Sequence, residues 1–476
     1  LDGLCLLKLI SQVRRDVRIV ANDFLSGVEN LNSLFIKIDN YKHTQSKKSI
    51  QSVYDALNNE EAIIIFPAGE VSRISPTGIK DIKWQKGFLK FAKKTNSPIL
   101  PILVDAKNSK TFYTVSILNK TFSTLLLSDE MFKKHDKNIN IKIGNLIPNE
   151  HIIPQNIPMK DLSSLYRKHL YSLKKGKKSF FKTVSAIAPS TSRQDIKKEL
   201  KQTQVIGKTN DGKVIYLYEY SQNSVILNEL GRLREISFRK VNEGVNQKRD
   251  LDKYDKYYKH IILWDDDDLE IVGAYRIGIT DEIEEEYGVD GFYTNTLFKF
   301  KKSFLPYLEN SIELGRSFVQ PKYWGSRALD YLWYGIGAFL KQNPQIKYMY
   351  GPVSLSASYP QYAKELIVDF YSFYFKGDKK IVEALNQFEY ETQSIALENP
   401  FKFKDYKEDF KLLKSKLKSM DVAVPTLYKQ YGELSQSGGV EFHGFNVDPS
   451  FSDCIDGFIL VEVEKIKTSK KERYIK

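Results

Sequence analysis

IIIFPAGEVSR, residues 63–73, runs three isoleucines into Phe66-Pro67-Ala68-Gly69 and sets Glu70, Ser72 and Arg73 behind them. Ile63 to Ile65 have the unbroken apolar, β-branched character of a strand buried on both faces, the mark of a parallel sheet. Pro67 and Gly69 stop such a strand sharply. Backbone amides exposed at the turn, with a guanidinium close by, can clamp a phosphate. An ordinary strand end followed by polar residues fits the same letters.

Outward from this stretch the pattern alternates. VRIVAN (17–22), SLFIKID (33–39), AIIIFP (62–67), SPILPILVDA (97–106) and FYTVSIL (112–118) read as strands. SIQSVYDALNN (49–59) and GFLKFAKKTN (87–96) read as amphipathic helices. That order predicts an α/β domain with a mostly parallel sheet and helices on its faces. Beyond LSSLYRKHLYSLKK the composition shifts. KKGKKSFFKTVSAIAPSTSRQD (174–195) is a basic run with two phenylalanines and then a Pro/Ser/Thr stretch. We read residues 1–173 as a first domain, 174–205 as a linker and 206–476 as a second αβ domain. The lysines and phenylalanines of the linker suit an anionic membrane surface as well as plain solvent.

In the second domain VIYLYEY (214–220) opens as a strand and ILNELGRLREISFRKV (226–241) follows as a helix. HIILWDDDDLEIVGAYRIGI (260–279) reads as a hairpin turned at Asp265–Asp268, since consecutive carboxylates cannot converge on one ion. SIELGRSFVQ (311–320) is a strand, SRALDYLWYGIGAFLKQN (326–343) a long helix, with Trp333 and Tyr334 in its core, and YMYGPVSL (348–355) a further strand. Glu313 and Arg316, three apart on a strand, should point to opposite faces unless a bulge intervenes. Separate structural ion pairs would account for them equally.

The chain has 476 residues, 42% hydrophobic and 13% aromatic, enough for two cores. A formal charge of +13 favours anionic partners. Cys5 and Cys454, at opposite ends, argue against a disulfide framework, and the six histidines show no metal-ligand spacing. No apolar run approaches the ~18–20 residues of a membrane span and no signal peptide is visible. The expected location is cytoplasmic, peripheral on the inner face of the membrane. Leu1 falls inside what reads as a structured segment, so the first domain is expected to be truncated at its N-terminus.

Phe66-Pro67-Ala68-Gly69 with Ser72-Arg73 resembles the phosphate-binding block of the glycerolipid (lysophosphatidic acid) acyltransferases. Leu34 to Asp39 resembles that family's second block and Pro98 to Ile102 its fourth, in the family's order. The resemblance implies that Asp39, Phe66, Pro67, Gly69, Glu70, Ser72 and Arg73 bind the acceptor. Ala68 departs from the family's usual glutamate, with Glu70 two places later, which points to a different acceptor. The family's catalytic motif is a histidine followed by an aspartate. Leu1-Asp2-Gly3-Leu4 resembles its aspartate end, so Asp2 would be catalytic and the histidine would precede Leu1. An alcohol attacking a thioester requires such a base. The spacings His260/Asp265 and His443/Asp448 are read as chance.

Arg234, Phe238, Asp252, Asp255, Arg276 and Glu313-Leu314-Gly315-Arg316 resemble the ornithine-lipid N-acyltransferases, GNAT-fold enzymes related to the acyl-homoserine-lactone synthases. The likeness covers most of 206–465, with FNVDPSFSDCIDGFILVEV (445–463) as a closing strand and Phe318 where that family often has Cys. It implies transfer of a fatty acyl group, often 3-hydroxylated, from acyl carrier protein (or acyl-CoA) to an α-amine, with no bound cofactor or metal. Acyl carrier protein is acidic, which suits a basic chain. Asp252, Asp255 and Arg276 would shape the acceptor site, Glu313 and Arg316 hold or activate the amine, and Arg234 and Phe238 belong to a face that closes over substrate. YGPVSLSASYP (350–360) fits a splayed strand receiving the acyl-pantetheine arm, or a simple bulge or turn at Gly351-Pro352.

Taken in order, the two resemblances match bifunctional enzymes that N-acylate an amino acid and then O-acylate the lyso-lipid. Two alternatives stay open: a lysophospholipid acyltransferase with a non-catalytic second domain, and a haemolysin-like membrane-binding protein. No nucleic-acid module is recognisable.

Overall fold

The isoleucine run enters a parallel sheet of three strands, β1 (Val17–Ala21), β2 (Phe35–Lys37) and β3 (Ala62–Ile64), in the order β2-β1-β3. Ile19 stands opposite both Phe35 and Ile64. This is a computed structural model, and it describes residues 2–21, 29–37, 47–75, 78–118, 126–134, 137–149, 157–177, 179–377, 379–391 and 399–475. They divide into two units, Leu1–Ala186 and Ile187–Lys476. Both are α/β.

In the first unit the chain turns at once after β3. Gly69, at φ 72°, donates its amide to the Phe66 carbonyl at 3.0 Å, a left-handed position that favours glycine. A hairpin of β4 (Arg73–Ser75) and β5 (Gly78–Lys80) follows, and β6 (Ile102–Asp105) pairs antiparallel with β7 (Asn140–Ile143). Trp84, Phe88, Leu89 and Tyr166 fill a core beneath the helices Gly87–Thr95 and Met159–Leu173.

One expected strand is a helix. FYTVSIL lies in Lys110–Leu118, where Phe112, Tyr113 and Ser116 bury one helical face. The Ser109 hydroxyl accepts the Phe112 amide at 3.1 Å, and this N-terminal cap outweighs the β-branched composition. The stretch read as linker also contains a helix, Arg193–Leu200, capped by Ser192 on the Asp195 amide.

The second unit is built on eight strands in the order β16-β17-β14-β13-β11-β10-β9-β8. They are β8 (Gln204–Lys208), β9 (Val214–Tyr218), β10 (Lys259–Asp265), β11 (Glu270–Ile279), β13 (Ser311–Val319), β14 (Tyr348–Leu355), β16 (Val440–Asp448) and β17 (Cys454–Glu462). A separate ribbon pairs β12 (Phe298–Phe300) with β15 (Val382–Ala384). The segment expected as one closing strand is thus a hairpin, turned at Pro449–Phe451 where Asp448 caps the Ser450 amide at 2.8 Å.

Every neighbouring pair in the large sheet is antiparallel except β13 and β14. Those two run parallel and pair only from Ser311/Tyr348 to Glu313/Tyr350. Beyond that point β14 stays with β17 as far as Leu355 and β13 stays with β11 as far as Gly273 opposite Val319, so a wedge opens between them. The backbones pass close at Gly351, where an added Cβ would lie 2.1 Å from the Leu314 carbonyl oxygen. Gly351-Pro352 is therefore a close approach inside a continuous strand, not a turn.

The helix Ala328–Gln342 covers one face, with Trp333, Ile336 and Phe339 in a core shared with Ile215, Ile261 and Leu314. On the opposite face the helix Val225–Lys240 packs Leu230 and Phe238 with Ile262, Ala274 and Phe318.

Candidate active site

β13 carries the bulge that Glu313 and Arg316 need in order to face the same way. Arg276 pairs with Gly315 and Ala274 with Phe318, so two residues of β13 oppose the single Tyr275. Arg316 takes φ 47° at this point, and the extra residue turns its side chain to the face that bears Glu313 and Arg276.

Three arginines and three aspartates interlock on that face. Arg234, wholly buried on its helix, donates from Nη1 to Asp255 Oδ1 at 2.7 Å, and its Nη2 lies 3.1 Å from His260 Nδ1. Arg276 Nη1 reaches Asp252 Oδ1 at 2.7 Å and Asp255 Oδ1 at 3.2 Å. Arg316 sets Nε 3.1 Å from Asp250 Oδ2 and Nη2 3.5 Å from Asp252 Oδ2, and donates from Nη1 to the Tyr293 hydroxyl at 3.0 Å. Asp252 and Asp255 also hold each other through a reciprocal cap on the turn Lys253–Lys256, so the local chain presents both carboxylates in fixed positions.

Glu313 is buried, and both of its carboxylate oxygens accept hydrogen bonds. Oε2 accepts the Tyr258 hydroxyl at 2.5 Å, while Oε1 accepts the Thr294 amide at 2.7 Å and its hydroxyl at 2.6 Å. The Tyr293 amide in turn donates to the Tyr258 oxygen at 3.0 Å. Arg276 lies 5.1 Å from the ring centres of both Tyr258 and Tyr293. Arg316 lies 4.6 Å from Tyr293 and 5.0 Å from Phe451, which itself packs against Phe238 at 5.0 Å.

Burial and these charges set the protonation states. Burial alone would raise the Asp255 carboxyl, but Arg234 and Arg276 drive it far below the usual range. Burial and then the Arg234 charge push His260 down to about 3, so its ring is neutral. Burial raises Glu313. The array is charged and largely buried.

In the first unit, Arg73 is held by Glu70 through Nε at 3.0 Å and Nη2 at 2.9 Å, and Ser72 donates to Asp81 at 2.6 Å. Trp84 Nε1 and the Tyr171 oxygen also bond Asp81. Phe66 is exposed and the Pro67 carbonyl accepts the Gln85 amide at 2.8 Å. The helix Asp2–Ile10 begins beside this turn, since a Cβ on Gly3 would sit 3.7 Å from the Phe66 ring. The geometry thus gathers Asp2, Phe66, Pro67 and Gly69 at one end of the sheet, with Glu70, Ser72 and Arg73 following on. Asp39 lies outside the described residues.

Asp250 stood out in the sequence with Asp252 and Asp255, without a role of its own, whereas Tyr258, Tyr293 and Thr294 escaped the sequence reading. These three lie in loops whose partners are 19 to 55 residues away, and nothing local marks them.

Residues 1–179 match the acyltransferase family and residues 233–334 the acetyltransferase (GNAT) domain family. The chain is 33% identical over 302 residues to the glycine N(alpha)-acyltransferase of Phocaeicola vulgatus, a match spanning 61% of this chain and 92% of that one. It is 31% identical over 154 residues to the lyso-glycine lipid O-acyltransferase of the same organism, across 31% of this chain and only 55% of the relative. The L-ornithine N(alpha)-acyltransferase of Agrobacterium fabrum is 27% identical over 227 residues, 45% of this chain and 70% of that relative. No solved structure matches. With an acyltransferase domain ahead of a GNAT domain, the chain is an acyltransferase of aminolipid biosynthesis and belongs to the family of the glycine N(alpha)-acyltransferases.

Proposed function

We propose that the second unit transfers a fatty acyl group from a carrier thioester to the α-amine of glycine, and that the first unit O-acylates the product. The observation that carries the first half is the bulged strand β13, which turns Glu313 and Arg316 onto one face beside Arg276, at the mouth of the wedge between β13 and β14. The wedge is the place for the acyl-pantetheine arm, since unpaired strand backbone there can hydrogen-bond its amides. Glycine is favoured over ornithine because the glycine-acylating relatives match over 92% and 89% of their length. Acyl carrier protein is the favoured donor, its acidity complementing a chain of net charge +13, an excess that lies in the first unit.

Glu313 already accepts three hydrogen bonds, and we assign it a positioning role. It holds Tyr258 and the 293–294 segment so that Tyr293 can brace Arg316. Asp252, Asp255, Arg234 and Arg276 keep the acceptor side of the site in shape, and Phe238 supports Phe451.

For the first unit, Asp2 is an aspartate of the kind that orients a histidine base, and Asp39 with residues 66–73 cradles a lyso-lipid. With Ala68 where the phosphate-binding families carry an acid, and Arg73 already tied to Glu70, that acceptor is an uncharged or zwitterionic lyso-aminolipid. The exposed Phe180, set among lysines, would rest on an anionic inner-membrane surface. Among the described residues no helix is long and apolar enough to cross a membrane.

Expression in a bacterium that lacks aminolipids, followed by mass spectrometry of its lipids, tests the reading. N-acylglycine, with or without a second ester-linked chain, is expected. Changes confined to glycerophospholipids would overturn it.

A further inference from the structure

With Glu313 committed to Tyr258 and Thr294, the reaction still needs a group to take the amine's proton, and the hairpin β16–β17 offers one. Resting on the amine-acylating reading above, we propose that Asp456, flanked by Asp448 and Glu243, seats the acceptor's α-ammonium and accepts the proton it loses before attack.

Ile455 packs into the core under the helix Ala328–Gln342, so its neighbours Cys454 and Asp456 project to the other face of the sheet, the face of Arg316. Asp456 stands opposite Ser354 on β14, beyond the point where β14 leaves β13, and opposite Asn446 on β16. It is only 4% exposed, yet no N–H or O–H group among the described residues donates to it. Its single side-chain contact is Cys454 Sγ, at 3.8 and 3.9 Å, too long for a strong bond. Asp448, also 4% exposed, uses Oδ1 for the Ser450 amide.

Glu243 belongs to a segment pinned on both sides. Ser356, just past β14, donates to the Val241 carbonyl at 2.7 Å, and Ser452 in the hairpin loop donates to the Gly244 carbonyl at 2.5 Å. Phe451 of the same loop closes over Arg316 at 5.0 Å. Arg316 is the cation that acts on Asp448 and Asp456, and it is already engaged by Asp250, Asp252 and Tyr293.

Two buried carboxyls, Asp448 and Asp456, with the half-buried Glu243 acting on Asp456, therefore lack a cation of their own, an arrangement that costs free energy until one arrives. Without it they are held towards the neutral form. Burial, and then the Asp448 and Glu243 charges, raise Asp456; burial raises Asp448; burial pushes Glu243 up to about 7. No group of three His, Cys, Asp or Glu among the described residues is spaced to hold a metal ion. A primary ammonium seated on Asp456 brings the missing positive charge together with N–H donors.

The step balances. The ammonium gives one proton to the Asp456 carboxylate, and the freed lone pair attacks the thioester carbonyl carbon. The C–N bond forms and the C–S bond breaks. The departing thiolate takes a second proton from nitrogen, and the third remains on the amide.

The test uses the full chain and its Asp456→Asn and Glu243→Gln variants, each checked for an unchanged melting profile. Glycine binding is measured by calorimetry, and initial rates are measured with acyl carrier protein thioester across pH. Asp456→Asn is expected to weaken glycine binding and raise its KM about tenfold or more, to lower kcat, and to remove the acidic limb of kcat/KM, with the KM of the thioester unchanged. Glu243→Gln should raise the glycine KM about threefold to tenfold and keep most of kcat. If the unaltered chain acylates glycine while Asp456→Asn keeps its KM and pH limb, the seat is refuted and the function stands. If glycine binds in an Asp456-dependent way but no acyl group moves, the seat stands and the transferase reading falls. If glycine neither binds nor is acylated, both fall.

Discussion

Arg276 is almost wholly shut off from solvent, at 1% exposure. Its Nη1 serves Asp252 and Asp255, and its Nε and Nη2 are buried without hydrogen-bond partners, faced by tyrosine rings. Replacing it by Met would leave Asp252 and Asp255 short of a cation, and breaking such a buried pair costs about 3–5 kcal/mol. Urea unfolding should register that loss, and amine acylation should fall with it. His260 supplies a second residue-level test. Its folded-state pKa is depressed to about 3 from an ordinary value near ~6.5. As pH drops from ~6.5 towards that value, the unfolded chain binds a proton that the folded chain does not. Stability contributed by neutral His260 is full above ~6.5 and is lost as pH falls, at up to ~1.4 kcal/mol per pH unit. His260→Gln, which keeps an acceptor for Arg234, should flatten that slope in melts recorded between pH 7 and 4.

At the scale of elements, the wedge beside Gly351 is the part most open to direct test. A methyl group there would strike the Leu314 carbonyl, and the overpacking should cost about 1–3 kcal/mol. Gly351→Ala is therefore expected to raise the KM for the thioester more than that for glycine, and steady-state kinetics with both substrates varied would show it. The elements themselves differed in how far the sequence betrayed them. The hairpin at Asp265–Asp268, the long helices and the strand ending at the Pro-Gly turn carry their periods openly. The helix Lys110–Leu118 does not, because its β-branched letters favour a strand and its cap, Ser109, is a single hydroxyl. The bulge in β13 was legible only as a condition: Glu313 and Arg316 could cooperate if one extra residue intervened. Its presence depends on register with β11, a long-range fact. Asp448 and Asp456 were hidden for the same reason, since they meet Arg316 only when a hairpin folds back from more than a hundred residues downstream.

For the molecule as a whole, the two proposed activities are ordered by chemistry, because an ester on the acyl chain's hydroxyl requires that chain to be delivered first. Loss of function should therefore be asymmetric. A second-unit lesion such as Arg316→Ala should remove both the monoacyl and the diacyl glycine lipid from cell extracts. A first-unit lesion at the turn, Gly69→Val, where φ 72° is strained for a β-branched residue, should remove the diacyl species and let the monoacyl one accumulate. Quantitative lipid mass spectrometry distinguishes the two patterns, and equal loss of both species in the Gly69 variant would contradict the assignment.

The carboxyls of the hairpin β16–β17 also make the protein two-signed: the net charge of +13 comes from the lysines and arginines of the first unit, while the second unit, close to neutral, holds an acid-rich interior. On the proposed reading each substrate is then sorted by polarity before shape matters, an anionic carrier retained outside and the small cationic nitrogen drawn in. Dissolved salt reaches the first attraction but scarcely the second, because ions screen exposed charges over about 8–10 Å and penetrate buried ones little. Added salt should thus starve the enzyme of its acyl donor long before it loosens its hold on the amine.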